Sequence, residues 1–268
     1  MIPIGDNNPR RSRPVVNYVL IALNFVVFIY MLGLSTDLAP GRRQQDDEFI
    51  SQTNGDCYGF RTAPTDADRF ICQFAFQPKE FFDTVRGQSL ATNPNTLLVL
   101  FSILTAAFLH GGWLHIFGNM VFLWVFGDNI EDRLGRVKYL LFYLAAAVIA
   151  SLIQGLVAPD SVVPTVGASG AVAGVLGAYL VWFPKARIRV VIPIVFLVFI
   201  PFQVPAIVMI GLWFAQNLFS GYATITSAAD SGGGVAWFAH IGGFVFGAAV
   251  ALLLYGRRGK RTAWGGRM

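Results

Sequence analysis

The stretch PTVGASGAVAGVLGAYL, residues 164–180, decides the fold, because it reads as a membrane helix built largely from small residues. Small residues let membrane helices approach one another closely. One serine, Ser169, stands between Ala168 and Gly170 near the start of the segment. A serine in such a helix is usually a packing residue, so its role depends on what the rest of the chain places beside it.

The composition assigns the chain to the integral membrane proteins. Of its 268 residues, 55% are hydrophobic and only 13% are charged, whereas soluble domains average about 25% charged residues. One membrane domain accounts for such a chain better than two soluble domains do.

Six stretches are predicted to cross the bilayer, which takes roughly 20 apolar residues per helix. The fifth lies within a long apolar run, residues 190–221, whose first half is interrupted by Pro193, Pro201 and Pro205. A shorter apolar run at 97–109 is predicted to be a helix in or near the membrane interface. The predicted crossings are residues 15–34, 113–130, 139–158, 166–183, 204–221 and 236–255.

The Lys and Arg residues set the predicted orientation. With the N-terminus in the cytoplasm, 14 of the 20 Lys and Arg residues lie in the inner segments, as the positive-inside rule requires. The net charge of +5 therefore reflects orientation, and no nucleic-acid partner is predicted. The chain divides into a basic cytoplasmic N-terminus (1–14), a six-helix membrane domain (15–255) whose long outer loop (35–112) includes the helix at 97–109, and a basic cytoplasmic tail (256–268).

Both cysteines, Cys57 and Cys72, lie in the polar part of the outer loop, residues 35–96. An oxidising outer face permits a disulfide bond between them. Two free thiols fit the sequence equally well, because it does not show how far apart the two side chains lie.

Four polar residues from three predicted crossings share one depth. The second, fourth and sixth crossings all enter from the outer face, and each carries a polar group within about two turns of its start. At about 1.5 Å per residue, these groups form one layer just below the outer surface. They are His115 and Asn119, Ser169, and His240.

Small residues on two of these helices would bring Ser169 and His240 together. Residues three or four apart share a helix face, and small residues on facing membrane helices allow close approach. The two sets are Ser169, Ala173 and Gly177 on the fourth crossing and His240, Gly243 and Gly247 on the sixth.

These polar residues also have other interpretations. A serine in a Gly- and Ala-rich helix often only packs, and ionisable groups in membranes also serve ion pathways and proton relays. The pair His115 and Asn119 suits a metal, but no Cys or acidic third ligand stands in the layer, so no metal is predicted. The segments below the layer are apolar, which disfavours a transport path.

Four motifs follow one another along the chain: HGGWLHIFGN (110–119), FGDNIEDRLG (126–135), GASG (167–170) and AHIGGFVFG (239–247). In this order the chain resembles the rhomboid family of intramembrane serine proteases, over roughly residues 15–256. The resemblance implies an all-α polytopic membrane protein, a rhomboid-like bundle of six transmembrane helices with both termini in the cytoplasm.

The resemblance implies a role for each polar residue of the layer. Ser169 would be the nucleophile and His240 its general base, with no acidic third member. The side chains of His115 and Asn119 would form the oxyanion hole with the backbone N–H of Ser169, and His110 would support this region. Four glycines would frame the serine or allow close helix packing: Gly167, Gly170, Gly243 and Gly247.

Two features depart from the pattern of many relatives. Ala173 stands where an aromatic residue often packs against the histidine, and the first outer loop lacks a Trp-Arg pair. The departures concern how the histidine is positioned and how the loop is built, and both members of the Ser–His pair are present.

The implied function is cleavage of the transmembrane helices of membrane-protein substrates, within the lipid bilayer near its outer surface and without a cofactor. A catalytically inactive relative that binds transmembrane clients is one alternative, and a small-solute transporter is another. We place the chain in the bacterial plasma membrane as a multi-pass protein. The sequence does not indicate an oligomeric state.

Overall fold

Apolar helices make up most of the computed structural model, which describes residues 2–34, 53–54, 57–58, 66–89, 95–194, 198–226 and 235–255. Within these residues the elements run in the order β1 (Ile2–Asp6), α1 (Val15–Leu34), β2 (Thr53–Asn54), β3 (Cys57–Tyr58), α2 (Asp66–Phe74), α3 (Pro78–Val85), α4 (Thr96–Thr105), a 3-10 turn (Ala106–Phe108), α5 (Trp113–Leu134), α6 (Arg136–Val157), α7 (Ser169–Trp182), β4 (Arg187–Ile194), β5 (Val198–Pro205), α8 (Ala206–Thr226) and α9 (Trp237–Tyr255).

Each predicted crossing corresponds to one helix, with bounds that agree to within five residues. Four helices in the described residues, α1, α6, α8 and α9, are long and apolar enough to span a membrane alone. Helices α4 and α5 pass the same test only as a pair bent by 77°. The described part of the chain therefore holds four or five candidate spans, and six crossings with both termini inside stay a prediction.

Helix α7 is too short to cross a bilayer by itself. Its 14 residues extend about 21 Å at 1.5 Å per residue, less than the roughly 30 Å of a hydrocarbon core. Nearly all of its side chains are buried, with Ala173, Val175 and Leu176 at 0% exposure. A helix that is apolar on every side belongs in the interior, and α7 is the central helix of the bundle.

Glycines bring α7 and α9 into backbone contact. A Cβ added to Gly243 would collide with the carbonyl oxygen of Gly170, and one added to Gly247 would collide with that of Gly174. A Cβ on Gly177 would likewise meet the carbonyl oxygen of Phe244. The two helices can lie this close only because side chains are missing along the line of contact.

A three-stranded antiparallel sheet of order β1-β4-β5 corrects the all-α prediction. Strand β1 pairs with β4 from Ile2 opposite Val191 to Asp6 opposite Ile188, and β4 pairs with β5 along its length. The stretch that forms β4 and β5 is rich in Val, Ile and Phe, which favour strands. Its prolines, which we interpreted as breaks before a helix, are tolerated in strands at edges, and Pro201 lies on the edge strand β5.

The chain before α1 is attached to the end of α5 by side-chain contacts. Asn129 donates to the Asp6 carboxylate over 2.9 Å, and the Tyr179 hydroxyl donates to the same group. Arg10 pairs with Asp128 at 3.2 Å. These contacts give a structural role to the FGDNIEDRLG motif, which the sequence alone left without one.

Glu131 of the same motif caps α1. Its carboxylate accepts the backbone N–H groups of Val16 and Asn17 over 3.1 and 2.7 Å. The first N–H groups of a helix have no partner within that helix, so the carboxylate supplies acceptors that α1 cannot. A carboxylate at a helix N-terminus also complements the helix dipole.

In the described part of the predicted outer loop, Gln77, between α2 and α3, bonds to two other segments of the chain. Gln77 donates to the carbonyl oxygens of Tyr58 and Val162 over 3.1 and 2.8 Å. Cys72 of α2 is disulfide-bonded, so the alternative of a free thiol at this position is wrong. The side chain of Cys57, the only other cysteine of the sequence, lies outside the described residues.

We predict that Gly247→Ala destabilises the protein by about 1–3 kcal/mol, the usual penalty for overpacking a core, because the methyl group has no room against Gly174. The matched control is Gly211→Ala in α8, where no atom lies within 4 Å of the added carbon. Because alanine is favoured over glycine in a helix by about 1 kcal/mol, Gly211→Ala should not destabilise the protein. Thermal unfolding in detergent measures both, and equal midpoints would contradict the close contact.

We also predict a pH dependence from Glu80 of α3. Burial raises the pKa of this carboxyl from 4.5 to about 7. Below pH 4.5 this carboxyl is neutral in both the folded and the unfolded state, so it does not lower the free energy of unfolding. As the pH rises towards about 7, the unfolded state ionises first and the free energy of unfolding falls.

Glu80→Gln should therefore stabilise the protein by on the order of 2 kcal/mol at pH 8 and leave it unchanged near pH 4.5. Unfolding midpoints against pH measure the effect, and parallel curves for Glu80→Gln and the parent protein would rule it out.

Candidate functional site

Ser169 is the first residue of α7, and the turn before it depends on Gly167. Gly167 has φ +122°, a conformation that residues with side chains rarely adopt. A Cβ there would lie 2.6 Å from His115 Nε2 and 3.7 Å from Ser169 Oγ. The imidazole of His115 and the hydroxyl of Ser169 therefore both border a space that only glycine leaves open.

His115 and Asn119 lie one turn apart near the start of α5. Asn119 is 8% exposed, and its amide donates to the backbone carbonyl of His115 over 3.1 Å. His115 is half-buried. Both side chains belong to the helix that begins beside Ser169, as their spacing predicted.

His110 connects the chain before α5 to the turn before Ser169. It is 1% exposed, and its Nε2 accepts the backbone N–H of Ala168 at 3.5 Å. Its ring lies edge-on to that of His115, with centroids 5.0 Å apart. His110 therefore contacts the turn that presents the serine and also packs against His115.

His240 lies in the first turn of α9 and is buried, with 9% exposure. Its Nδ1 is 2.6 Å from Oδ1 of Asn217 on α8. The ring of Trp213, one turn earlier on α8, lies 5.8 Å from the His240 ring, and that of Trp237 lies 6.1 Å away, nearly perpendicular. The histidine is thus surrounded by groups that the sequence did not single out.

Asn217 and Trp213 are the site residues that sequence reasoning missed. A signal for them existed, because an amide inside a predicted crossing needs a hydrogen-bond partner, and Trp213 precedes it by one helical turn. The fifth crossing was interpreted only as apolar, so neither residue was connected with His240.

The starts of α7 and α9 face each other. A Cβ on Gly170 would lie 3.7 Å from the carbonyl oxygen of Ala239 and 3.8 Å from its Cβ. These two residues adjoin Ser169 and His240 respectively. Among the described residues, however, no hydrogen bond joins Ser169 Oγ to His240, whose Nδ1 binds Asn217 instead.

The side chains around Ser169 are small and mostly apolar. A cavity beside it is lined by Ala147 and Ala150 of α6, by Val166, and by Ala236 and Ala239. The N-terminus of α7 directs its positive dipole end at this position. In the described part of the chain, no group of three or more His, Cys, Asp or Glu side chains could hold a metal ion.

A family model describes most of this chain. The model of the Rhomboid domain matches residues 98–257, more than half of the sequence. The match begins within α4 and covers α5 to α9, and so it includes every residue of the candidate site.

Individual relatives agree with that match. The yeast mitochondrial Rhomboid protein 1 (Saccharomyces cerevisiae) is 34% identical over 159 residues, 58% of this chain and 40% of that protein. The rhomboid protease GluP of Bacillus subtilis is also 34% identical over 159 residues, 59% of this chain and 28% of that protein. The human mitochondrial presenilin-associated rhomboid-like protein is 32% identical over 102 residues, 37% of this chain and 27% of that protein. The chain thus matches well under half the length of these relatives.

The predicted location in a bacterial plasma membrane is wrong on these comparisons. Relatives with significant similarity are named as mitochondrial proteins, and another, from Arabidopsis thaliana, is named Rhomboid-like protein 11, chloroplastic. Charge in the loops orients a chain relative to a membrane but does not identify the membrane. The multi-pass membrane character stands, since the described helices include four or five candidate spans.

The family model, the relatives and the apolar helical bundle agree, and this chain belongs to the rhomboid family.

Proposed function

We propose that this chain is an intramembrane serine endopeptidase with Ser169 as nucleophile and His240 as general base. The observation that carries the proposal is the contact between the first turns of α7 and α9, where Gly170 lies against Ala239. That contact holds the residue after Ser169 next to the residue before His240. Rhomboid family membership supports the same chemistry, because one relative is named a protease.

A serine hydroxyl attacks a peptide carbonyl well only when a base removes its proton. A neutral imidazole does this near pH 7. In the proposed reaction, His240 takes the proton of Ser169 and later gives it to the leaving amine, and water then releases the acyl group by the same route.

The oxyanion of the tetrahedral intermediate needs donors that are already in place. We assign this role to the side chains of His115 and Asn119 and to the backbone N–H of Ser169. The His115 ring lies against Gly167, on the same side of the turn as the serine hydroxyl. His110 contributes indirectly, through Ala168 and the His115 ring.

The proposed substrates are membrane proteins whose transmembrane helices unwind locally. A helix hides its carbonyl groups in internal hydrogen bonds, and the bilayer offers no others, so the cleaved bond must lie where the helix can open. The site lies at the starts of α5, α7 and α9, which our topology places just below the outer surface. Small or helix-breaking residues near the bond would ease the unwinding.

A catalytically inactive protein that binds transmembrane clients is the second candidate. The missing hydrogen bond between Ser169 and His240 in the described residues favours it. Catalytic hydrogen bonds are often long without substrate and shorten only in the complex, so we prefer the protease. A transporter is less suitable, because α7 is closely packed and apolar below Ser169.

Ser169→Ala should abolish cleavage of a single-span substrate in reconstituted vesicles, with a loss of at least about 10³-fold, while the protein still folds. The control is Ser102→Ala, which removes a buried hydroxyl bonded to the carbonyl of Val99 in α4. Gel analysis of the products measures the rate. Cleavage by Ser169→Ala at the parent rate would contradict the assignment of Ser169 as nucleophile.

A serine-directed fluorophosphonate should label Ser169 in the parent protein and fail to label His240→Ala, because the hydroxyl then lacks its base. Phe219→Ala, on the exposed side of α8, serves as a folded control and should label normally. Mass spectrometry locates the adduct, and undiminished labelling of His240→Ala would remove the histidine from its role.

A further inference from the structure

We infer that Asn217 is a positioning residue that fixes the tautomer and the ring orientation of His240, an inference that rests on the proposed function of His240 as base. The two side chains are joined by one contact, His240 Nδ1 to Asn217 Oδ1 at 2.6 Å. Asn217 is 2% exposed, so water does not compete for this contact. The resulting set is Ser169, His240 and Asn217, from three different helices.

The orientation of the Asn217 amide is decided by its second contact. The amide nitrogen Nδ2 donates to the backbone carbonyl of Trp213 over 2.7 Å. A carbonyl can only accept, so the NH₂ group faces Trp213 and the amide oxygen faces His240. The proton of the neutral imidazole must therefore lie on Nδ1, which leaves the lone pair on Nε2.

This tautomer is the one that a general base for Ser169 requires. Nε2 accepts the proton of Ser169 Oγ as the hydroxyl oxygen bonds to the substrate carbonyl carbon. The imidazolium then keeps Nδ1–H on Asn217, and Nε2 returns the other proton to the leaving amine as the peptide bond breaks. Asn217 gains and loses no proton, and it accepts one hydrogen bond throughout.

Helix α8 also supplies the aromatic contact that Ala173 does not. Asn217 and Trp213 are four residues apart and share one face of α8. The Trp213 ring lies 5.8 Å from the His240 ring at 37°. Ala173 instead faces Gly243 in the close contact of α7 with α9, 3.5 Å from its Cβ position. The small residue favours that contact, and α8 positions the imidazole.

An amide suits this place better than a carboxylate does. An ionised group inside a membrane is expensive, whereas a neutral amide with both ends bonded is not. Asparagine orients the catalytic histidine in papain-like proteases in the same manner. The orientation is therefore obtained without a buried charge.

The first test is the ¹⁵N spectrum of histidine-labelled protein in detergent near neutral pH. The chain has three histidines, and the His240→Ala spectrum identifies the signals of His240. In the parent protein, the signals of His240 should show a protonated Nδ1 and an unprotonated Nε2. Asn217→Leu should shift His240 toward the Nε2–H tautomer, because the acceptor at Nδ1 is gone.

Asn24→Leu is the matched control. Asn24 is also buried, and its Nδ2 also donates to the carbonyl four residues earlier, that of Leu20, over 2.8 Å. It lies on α1, away from His240. The variant should leave the His240 signals as in the parent protein.

The second test is activity. Asn217→Leu should lower kcat and the fluorophosphonate labelling rate by about 5-fold, since one buried hydrogen bond contributes about 1 kcal/mol and each 1.4 kcal/mol is a factor of ten, with little change in KM. Asn217→Asp keeps an acceptor oxygen and should retain the Nδ1–H tautomer and most of the rate. It also tests the inference if Asn217→Leu does not fold.

Two results would overturn the inference: His240 signals that do not change in Asn217→Leu, or loss of the Nδ1–H tautomer in Asn217→Asp. Failure of the protease assignment looks different. In that case Ser169→Ala has no effect on cleavage, while the spectra still report whether Asn217 sets the tautomer of His240.

Discussion

The contact between α7 and α9 is the constraint on which the proposed site depends. Gly170 and Gly174 on one helix face Gly243 and Gly247 on the other, and backbone meets backbone where a methyl group would not fit. Without this approach, side chains between the two helices would hold Ser169 and His240 further apart. Helix α7 is apolar on all sides because neighbouring helices enclose it.

Much of the fold could be predicted, because long apolar runs have few other ways to fold in a bilayer. The helix bounds followed from length and hydropathy, and the positions of Ser169, His115 and His240 near the starts of their helices followed with them. The structure places the first turn of α9 beside that of α7, as the small-residue pattern predicted. It also places His115 beside the turn that precedes Ser169.

The features that were missed depend on tertiary pairing. The sheet formed by β4 and β5 consists of the residue types that also fill membrane helices, and its third strand, β1, lies more than 180 residues earlier in the chain. Asn217 can be recognised as a site residue only from the packing of α8 beside α9. The cellular membrane was predicted wrongly, because the loop charges carry no information on it.

The most direct test of the account is double covalent trapping with 4-chloroisocoumarin, which acylates a serine and then exposes an electrophile that can alkylate a histidine within reach. After digestion, mass spectrometry should find one linked pair of peptides, joined through Ser169 and His240. Acylation of Ser169 with no bond to His240, or alkylation at another residue, would contradict the claim that the starts of α7 and α9 form one catalytic centre.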